Sequence, residues 1–431
     1  MSGKIQAIRG MHDILPDQAH AWRHIENTII AVINSYCYQE IRIPVVEKTE
    51  LFARSIGELS DIVTKEMYTF TDRNDESLTL RPEGTAGCVR AGLEHGLFHN
   101  QIQKLWYIGP MFRHERPQKG RQRQFHQIGL EAFGLSGPDI DAELIILCAR
   151  IWQTLKLDSI TLQLNTLGTA TTRNHYKELL IEYFSGYKEQ LDKDSQHRLY
   201  NNPLRILDSK NPDMQSIISG APSIHDHLDA ESSDHFAGLR AILDETAIAY
   251  TINPYLVRGL DYYGKTVFEW TTDLLGAQGT VCAGGRYDGL VEHFGGKPAP
   301  AIGCAMGLER LIDLVQLDNT MDDSTGIPQI YLILADEAIQ TGLKLAEDLR
   351  KMVPGLRLMS HCGGGSFKSQ FKKADKSGAQ LAIILGQEEL INQTVRVKSL
   401  RDGSAQNTMP CVNLAEYVKQ YLAVVGYFEN A

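Results

Sequence analysis

The amino-acid sequence predicts an α+β protein: an antiparallel-sheet domain carrying a helical insertion, followed by a smaller C-terminal α/β domain. Three observations point there. Strand-like runs follow one another with few helices between them before residue 170 and resume at Val257. Residues 170–252 are polar, acidic and helical in period, with 8 basic against 13 acidic residues, net −5. Beyond residue 326 strands and helices alternate. At 431 residues the chain is also too long for one ordinary core.

Taken in order, residues 17–37 read as an amphipathic helix, with Trp22, Ile25, Ile29, Val32 and Ile33 at helical spacing. A strand follows over 40–46, and Pro44, which cannot donate to a ladder, places it at a sheet edge or an interface. Further strands are predicted at 67–70, 77–80, 104–112, 124–133, 161–165, 266–270 and 280–282, with helices at 84–97 and 140–155. The polar, Gly/Pro-marked stretch Asp322–Pro328 marks a boundary. After it come strand 330–334, helix 337–351, strand 356–360, helix 367–376 and strand 379–385. The division is therefore 1–169 with 253–325 as core, 170–252 as insertion and 326–431 as C-terminal domain.

Composition narrows the function classes. Lys and Arg number 43 against 53 acids, and this excess of acid weighs against a non-specific nucleic-acid or membrane coat. Seven cysteines without a CxxC pair imply reduced, mostly buried thiols, neither a disulfide framework nor a zinc knuckle. With no apolar leader and no run long enough to span a bilayer, the expected compartment is the cytoplasm, with no membrane partner. P-loop, GxGxxG and HExxH motifs are absent. His225-x-His227 reads as a solvated turn, and Asp139 and Asp141 as first-turn acids complementing a helix dipole after Pro138.

Several segments carry chemistry. Residues 113–123 hold five basic residues and one acid, net +4, in a hairpin loop flanked by apolar strands. Arginine forks there suit phosphate, although charge alone is equally consistent with a solvated basic loop. Val257-Arg258-Gly259-Leu260-Asp261-Tyr262-Tyr263 places an arginine, an acid and two tyrosines in an apolar strand pattern, costly to bury unless paired or bound to ligand. An Arg258–Asp261 pair is the structural alternative. Ala283-Gly284-Gly285-Arg286-Tyr287-Asp288 offers paired glycines for close backbone approach. Gly303 to Leu311 is a small-residue strand turning into a helix, and Glu83-Gly84-Thr85 precedes another helix.

In this order the segments resemble those of the class II aminoacyl-tRNA synthetases. Phe112-Arg113-x-Glu115 with Phe125-His126-Gln127 is similar to motif 2 of that class, and Gly307-Leu308-Glu309-Arg310 to motif 3. The helix and strand ending at Pro44 resemble motif 1, the dimer element. Residues 256–263 and 283–288 resemble the two signature peptides of the histidine-specific branch, bacterial type.

The resemblance implies a class II synthetase-like sheet domain and a C-terminal anticodon-binding domain. It implies ligation of L-histidine to tRNA(His) through a histidyl-adenylate, with ATP as substrate, Mg²⁺ bound mainly through the ATP phosphates and no metal ligated by protein alone. Arg113 and Arg258 would be the catalytic residues, on either side of the α-phosphate. Arg113, Glu115, Arg121, Phe125 and Arg310 would bind ATP, with Phe125 stacked on adenine and Arg310 over its other face. Glu83, Thr85 and Gln127 would take the ammonium of histidine, with Arg258 at its carboxylate. Glu131, Tyr262 and Tyr263 would take the imidazole. Arg116 and Gln118 would meet the tRNA acceptor end, the insertion would clamp the acceptor stem, and Lys368, Lys372, Lys373 and Lys376 would face the anticodon. A homodimer is expected. The alternative is a non-catalytic regulatory subunit of ATP phosphoribosyltransferase, a paralogue that loses motif residues and the anticodon domain.

Overall fold

The computed structural model describes residues 4–57, 60, 62–118, 120–209, 211–258, 260, 262–276, 279–317 and 326–424. The chain divides into two compact units, Met1–Met321 and Asp322–Ala431. Of the predicted features, Gly259, Asp261 and residues 322–325 lie outside the described residues.

The first unit is built on strands β1 (Gln39–Glu40), β5 (Gln103–Phe112), β6 (Gln124–Phe133), β7 (Thr161–Thr166), β8 (Tyr250–Ile252), β9 (Gly264–Thr271), β10 (Thr280–Arg286) and β11 (Ala301–Gly307). They form one sheet in the order β1-β5-β6-β11-β10-β9-β7-β8. The six central strands are mutually antiparallel, and the short edge strands β1 and β8 pair in parallel. A smaller antiparallel sheet joins β2 (Val46–Lys48), β4 (Ser77–Leu80) and β3 (Tyr68–Thr71).

Alternation along the strands gives the sheet two different faces. Trp106, Ile128, Leu130 and Ile302 point into a core closed by helices α1 (Pro16–Ser35), α4 (Pro138–Thr154) and α10 (Leu308–Leu317), through Ile25, Ile29, Ile145, Ile151, Leu311 and Leu314. Leu105, Tyr107 and Phe133 belong to the opposite core, where helix α3 (Thr85–Glu94) lies. Helices α5 (Ala170–Ser185), α6 (Lys193–Asn201), α7 (Gln215–Ser219) and α8 (Ala230–Glu245) carry the segment between β7 and β8. Tyr176, Leu180, Phe184 and Leu199 join that second core.

The segment predicted as one strand over 40–46 is divided. Ile41 still donates to the Trp106 carbonyl at 2.8 Å. The carbonyls of Ile43 and Pro44 turn instead to the buried Arg81 guanidinium, at 2.9 and 3.4 Å. Asp141 also differs from its expected role. It is fully buried, with Arg286 Nε at 2.8 Å and His235 Nε2 at 2.8 Å. Arg286 further donates to Asp288 and to the Leu135 and Gly137 carbonyls, each at 2.9 Å. This knot ties α8 and β10 to α4. His225, predicted in a solvated turn, is half-buried with its Nε2 2.9 Å from Asn165 Oδ1.

The second unit is a five-stranded sheet in the order β13 (Leu358–Ser360), β12 (Ile330–Leu334), β14 (Leu381–Leu385), β15 (Thr394–Ser399) and β16 (Asn407–Pro410). β12 pairs in parallel with β13 and β14, and the last two strands run antiparallel. Helices α11 (Ile339–Met352) and α12 (Phe367–Lys376) lie where periodicity puts them, and α14 (Leu414–Val424) closes the core with Leu414, Val418 and Leu422.

Removing Asp141 strips the fully buried Arg286 of its buried carboxylate and leaves it only the half-exposed Asp288 as an acidic partner. Asp141→Ala is expected to cost about 3–5 kcal/mol in urea unfolding. Glu143→Ala, which breaks the half-exposed 2.6 Å pair with Lys104, should cost about 1 kcal/mol or less in the same measurement.

Candidate active site

A cavity of about 240 Å³ opens over β5, β6, β10 and β11. Arg113, Glu115, Arg121, Phe125, Gln127, Arg258, Tyr262, Tyr263, Arg310, Glu83 and Thr85 all line it. Hairpin β5–β6 supplies Arg113, Glu115, Arg121 and Phe125, while β11 turning into α10 supplies Arg310. The residues that sequence spreads over 83–310 thus converge on one surface.

Each cation is held by identifiable partners. Arg113 Nε donates to the Pro82 carbonyl at 2.9 Å, and its guanidinium lies over the Phe125 ring at 5.3 Å. Arg121 pairs with Glu115 at 3.0 Å. Arg258 is ion-paired with Glu269 and lies over the Tyr263 ring, yet its buried Nε has no hydrogen-bond partner among the described residues. Arg310 donates to the carbonyls of Thr280 and Gly120. Burial lowers the Arg310 pKa, and repulsion from Arg121 and Arg113 lowers it further. These guanidiniums are close enough to destabilise one another, a tension that a polyanion would relieve.

At the helical side, Glu83 accepts from the backbone N–H of Thr85 at 2.5 Å and of Ala86 at 2.9 Å, so it caps α3 while lining the cavity. Burial raises its pKa against those two bonds. Glu131 is 1% exposed and does not line the cavity. Its carboxylate accepts from Thr85 Oγ1 at 2.7 Å, from Tyr107 at 3.1 Å and from Tyr287. Burial pushes its pKa up to about 8, against those donors. A Cβ on Gly303 would sit 1.7 Å from the Glu131 carboxylate, and one on Gly129 would sit 2.1 Å from the Tyr107 ring. The small residues of these strands are thus required by the side chains beneath the pocket.

Arg116 and Gln118 are exposed in the β5–β6 loop, away from the cavity lining. A reciprocal backbone pair between Gln118 and Arg121, at 3.1 and 2.9 Å, tightens that loop. Residues not singled out from sequence also contribute. Glu269 holds Arg258, and Glu309 joins motif 3 to motif 2 through the His126 backbone N–H at 2.9 Å and ring Nδ1 at 3.0 Å. Glu269 had a visible signal, a lone acid between Phe268 and Trp270 in an apolar strand.

An antiparallel sheet that floors a pocket lined by arginines, in a chain that also carries an α/β unit, is the architecture of a class II aminoacyl-tRNA synthetase. Comparison with known proteins narrows this. A family model described as histidyl-tRNA synthetase matches residues 10–183 and 184–311, and one described as anticodon binding domain matches 329–421. A histidine–tRNA ligase of Hydrogenovibrio crunogenus is 56% identical over 423 residues, 98% of this chain and 99% of that protein. The crystal structure of apo Staphylococcus aureus histidyl-tRNA synthetase aligns with a TM-score of 0.81 at 36% identity, covering 96% of this chain and 100% of that one. A Bacillus halodurans structure described as an ATP phosphoribosyltransferase regulatory subunit/histidyl-tRNA synthetase shares the fold at TM-score 0.64 and 20% identity, over 88% of this chain and 98% of that one. The chain belongs to the histidyl-tRNA synthetase family. Its activity is the charging of tRNA with histidine, in a family that uses ATP. The regulatory-subunit alternative is the weaker reading.

The Glu131 carboxyl has a measurable signature. The folded protein holds its proton to about pH 8, whereas the ordinary value is 4.5. Folded chains therefore bind more protons across that window, and this group's contribution to stability falls as pH rises from 4.5 to 8. Glu131→Gln, neutral at every pH, should flatten that decline in denaturation series run between pH 5 and 8.

Proposed function

We propose that the cavity joins histidine to ATP, and that the observation carrying this reading is the convergence of Arg113, Arg121, Arg258 and Arg310, with a buried Arg258 Nε that has no hydrogen-bond partner among the described residues. The histidine carboxylate attacks the α-phosphorus of ATP, an O–P bond forms, and the bond to pyrophosphate breaks. The 3′-terminal ribose oxygen of tRNA then takes the histidyl group and AMP leaves. Both reactants of the first step are anions, so the barrier contains their repulsion and the charge gathering on the phosphoryl oxygens.

Arg113 and Arg258 are the catalytic pair in this reading. Arg113 sits at the mouth of the β5–β6 loop, where it reaches both the α-phosphate and the carboxylate. Arg258 enters from beside Tyr263, and its free Nε–H supplies a fork for the same oxygens. Both are preorganised, by Pro82 and Glu269 respectively, so little reorganisation accompanies the reaction. Arg121 and Arg310 hold the outer phosphates, Phe125 stacks on the adenine and Arg310 covers its other face. Glu115, Glu309 and Glu269 are already engaged with Arg121, His126 and Arg258. Mg²⁺ therefore fits as a cation held mainly through the phosphates, where it screens their charge.

Glu83, Thr85 and Gln127 offer oxygen acceptors to the ammonium of histidine. Tyr262 and Tyr263, ring centroids 4.6 Å apart, offer hydroxyls to the imidazole. Glu131 acts one layer back, through Thr85, Tyr107 and Tyr287. A pocket that hydrogen-bonds the ring rejects ring-less amino acids because its buried polar groups would be left unpaired.

In the wider molecule, residues 1–169 with 253–325 form the catalytic core, 170–252 the acceptor-stem clamp and 326–431 the anticodon-binding domain. The exposed Arg116 and Gln118 meet the acceptor end. Lys368, Lys372, Lys373 and Lys376, all exposed on α12, present a cationic face to the anticodon. The edge strand β1 and helix α1 supply the homodimer contact. Among the described residues no helix is long and apolar enough to cross a membrane, and the cytoplasm is the proposed site of action.

Arg258→Ala is expected to lower histidine-dependent ATP–pyrophosphate exchange by about 10²- to 10³-fold or more, with unchanged circular dichroism. Wild-type exchange in that variant would overturn the assignment. Deleting residues 328–431 should depress aminoacylation far more than exchange, and equal losses would mean that the second unit supports the active site instead.

A further inference from the structure

Three cysteines that are remote in sequence meet behind the floor of the cavity. Cys148 of α4 has its Sγ 3.7 Å from that of Cys304 on β11 and 4.0 Å from that of Cys282 on β10. All three sulfurs lie within 4.8 Å of one another, and all three residues are buried. They belong to the helix-covered core, and Cys282 and Cys304 also contribute to the lining of the cavity from the strands that floor it. None takes part in the chemistry described above.

The geometry discriminates between two uses of such a cluster. A disulfide needs sulfurs about 2.05 Å apart, so any pair would have to close by more than about 1.5 Å inside a packed core. A thiophilic cation with metal–sulfur bonds of about 2.3 Å holds tetrahedral or trigonal thiolates about 3.8–4.0 Å apart. The 3.7 and 4.0 Å separations of Cys148 from its two neighbours match the second. We propose that Cys148, Cys282 and Cys304 form a binding site for a single thiophilic divalent cation of the Zn²⁺ class, which staples α4 to β10 and β11 beneath the active site.

Thiols that ligate a metal must give up their protons as it enters. Binding therefore weakens as pH falls. A cation bound to the folded state alone also raises the melting temperature.

The test uses the full-length, reduced protein, with Cd²⁺ as a spectroscopic probe and Zn²⁺ for thermal shift. The expected result is one Cd²⁺ per chain, a thiolate-to-metal absorption band, and a rise in melting temperature with Zn²⁺. Cys148→Ala should weaken the metal by at least about 100-fold, beyond what loss of a supporting group costs. It should abolish the thermal shift too, while aminoacylation without added metal shows that the variant is folded. Cys362→Ser, which alters an exposed thiol, should retain both signals. Binding that survives Cys148→Ala, or that is lost with Cys362→Ser, overturns the proposal. So does a two-dalton mass loss under mild peroxide in a protein that binds no metal, which would make the cluster a disulfide-forming pair. If Cys148→Ala fails to fold, Cys304→Ser must remove the absorption band for the proposal to stand.

Discussion

Four guanidiniums held at one small cavity repel one another, and much of the first unit is arranged around that repulsion. Arg121 is offset by Glu115, Arg258 by Glu269, and Arg310 by two backbone carbonyls. Two of these partners are carboxylates and two are neutral carbonyls, so only part of the positive charge is offset. The partners also fix the guanidiniums in direction. That requires a floor which does not yield, and the six antiparallel central strands provide it. On one side the sheet is backed by α1, α4 and α10. On the other, Tyr107, Tyr287 and Thr85 close over Glu131 with the help of glycines that leave no spare volume.

The acidic net charge of −10 conceals this arrangement. The 113–123 loop carries +4 and the segment from 328 to 431 carries +2, while 170–252 carries −5. A chain whose charge is divided in this way binds a polyanion through a few fixed contacts and repels it elsewhere. Weak non-specific attraction and a limited number of phosphate contacts favour release after reaction.

The elements with strong periodicity were legible in the sequence. Strands 77–80, 124–133 and 330–334 and helix 367–376 begin and end where their patterns do. Departures arose where a side chain from afar replaced a local bond, as Arg81 does at Ile43 and Pro44. For the site, motif resemblance gathered most of the lining because each motif is local. Glu269, Glu309, Tyr107 and Tyr287 escaped it, since their importance lies in pairings across strands. Asp141 looked like a helix-start acid and is that, but its partner Arg286 lies 145 residues away. The thiol cluster was invisible for the same reason.

The order of the strands has a consequence for synthesis of the chain. β6 pairs with β11, and Gln127 faces Gly307 across 180 residues of sequence. When the β5–β6 hairpin first leaves the ribosome it presents an open strand edge, and the partner that covers it is not translated until the whole of α5–α8 has been made. Loop closure over that distance is slow, and unpaired edges invite association with other chains. The cavity, whose last lining arginine is residue 310, thus cannot be complete until β11 and the start of α10 have been made. Before that, the nascent chain is a set of helices and a hairpin in need of protection.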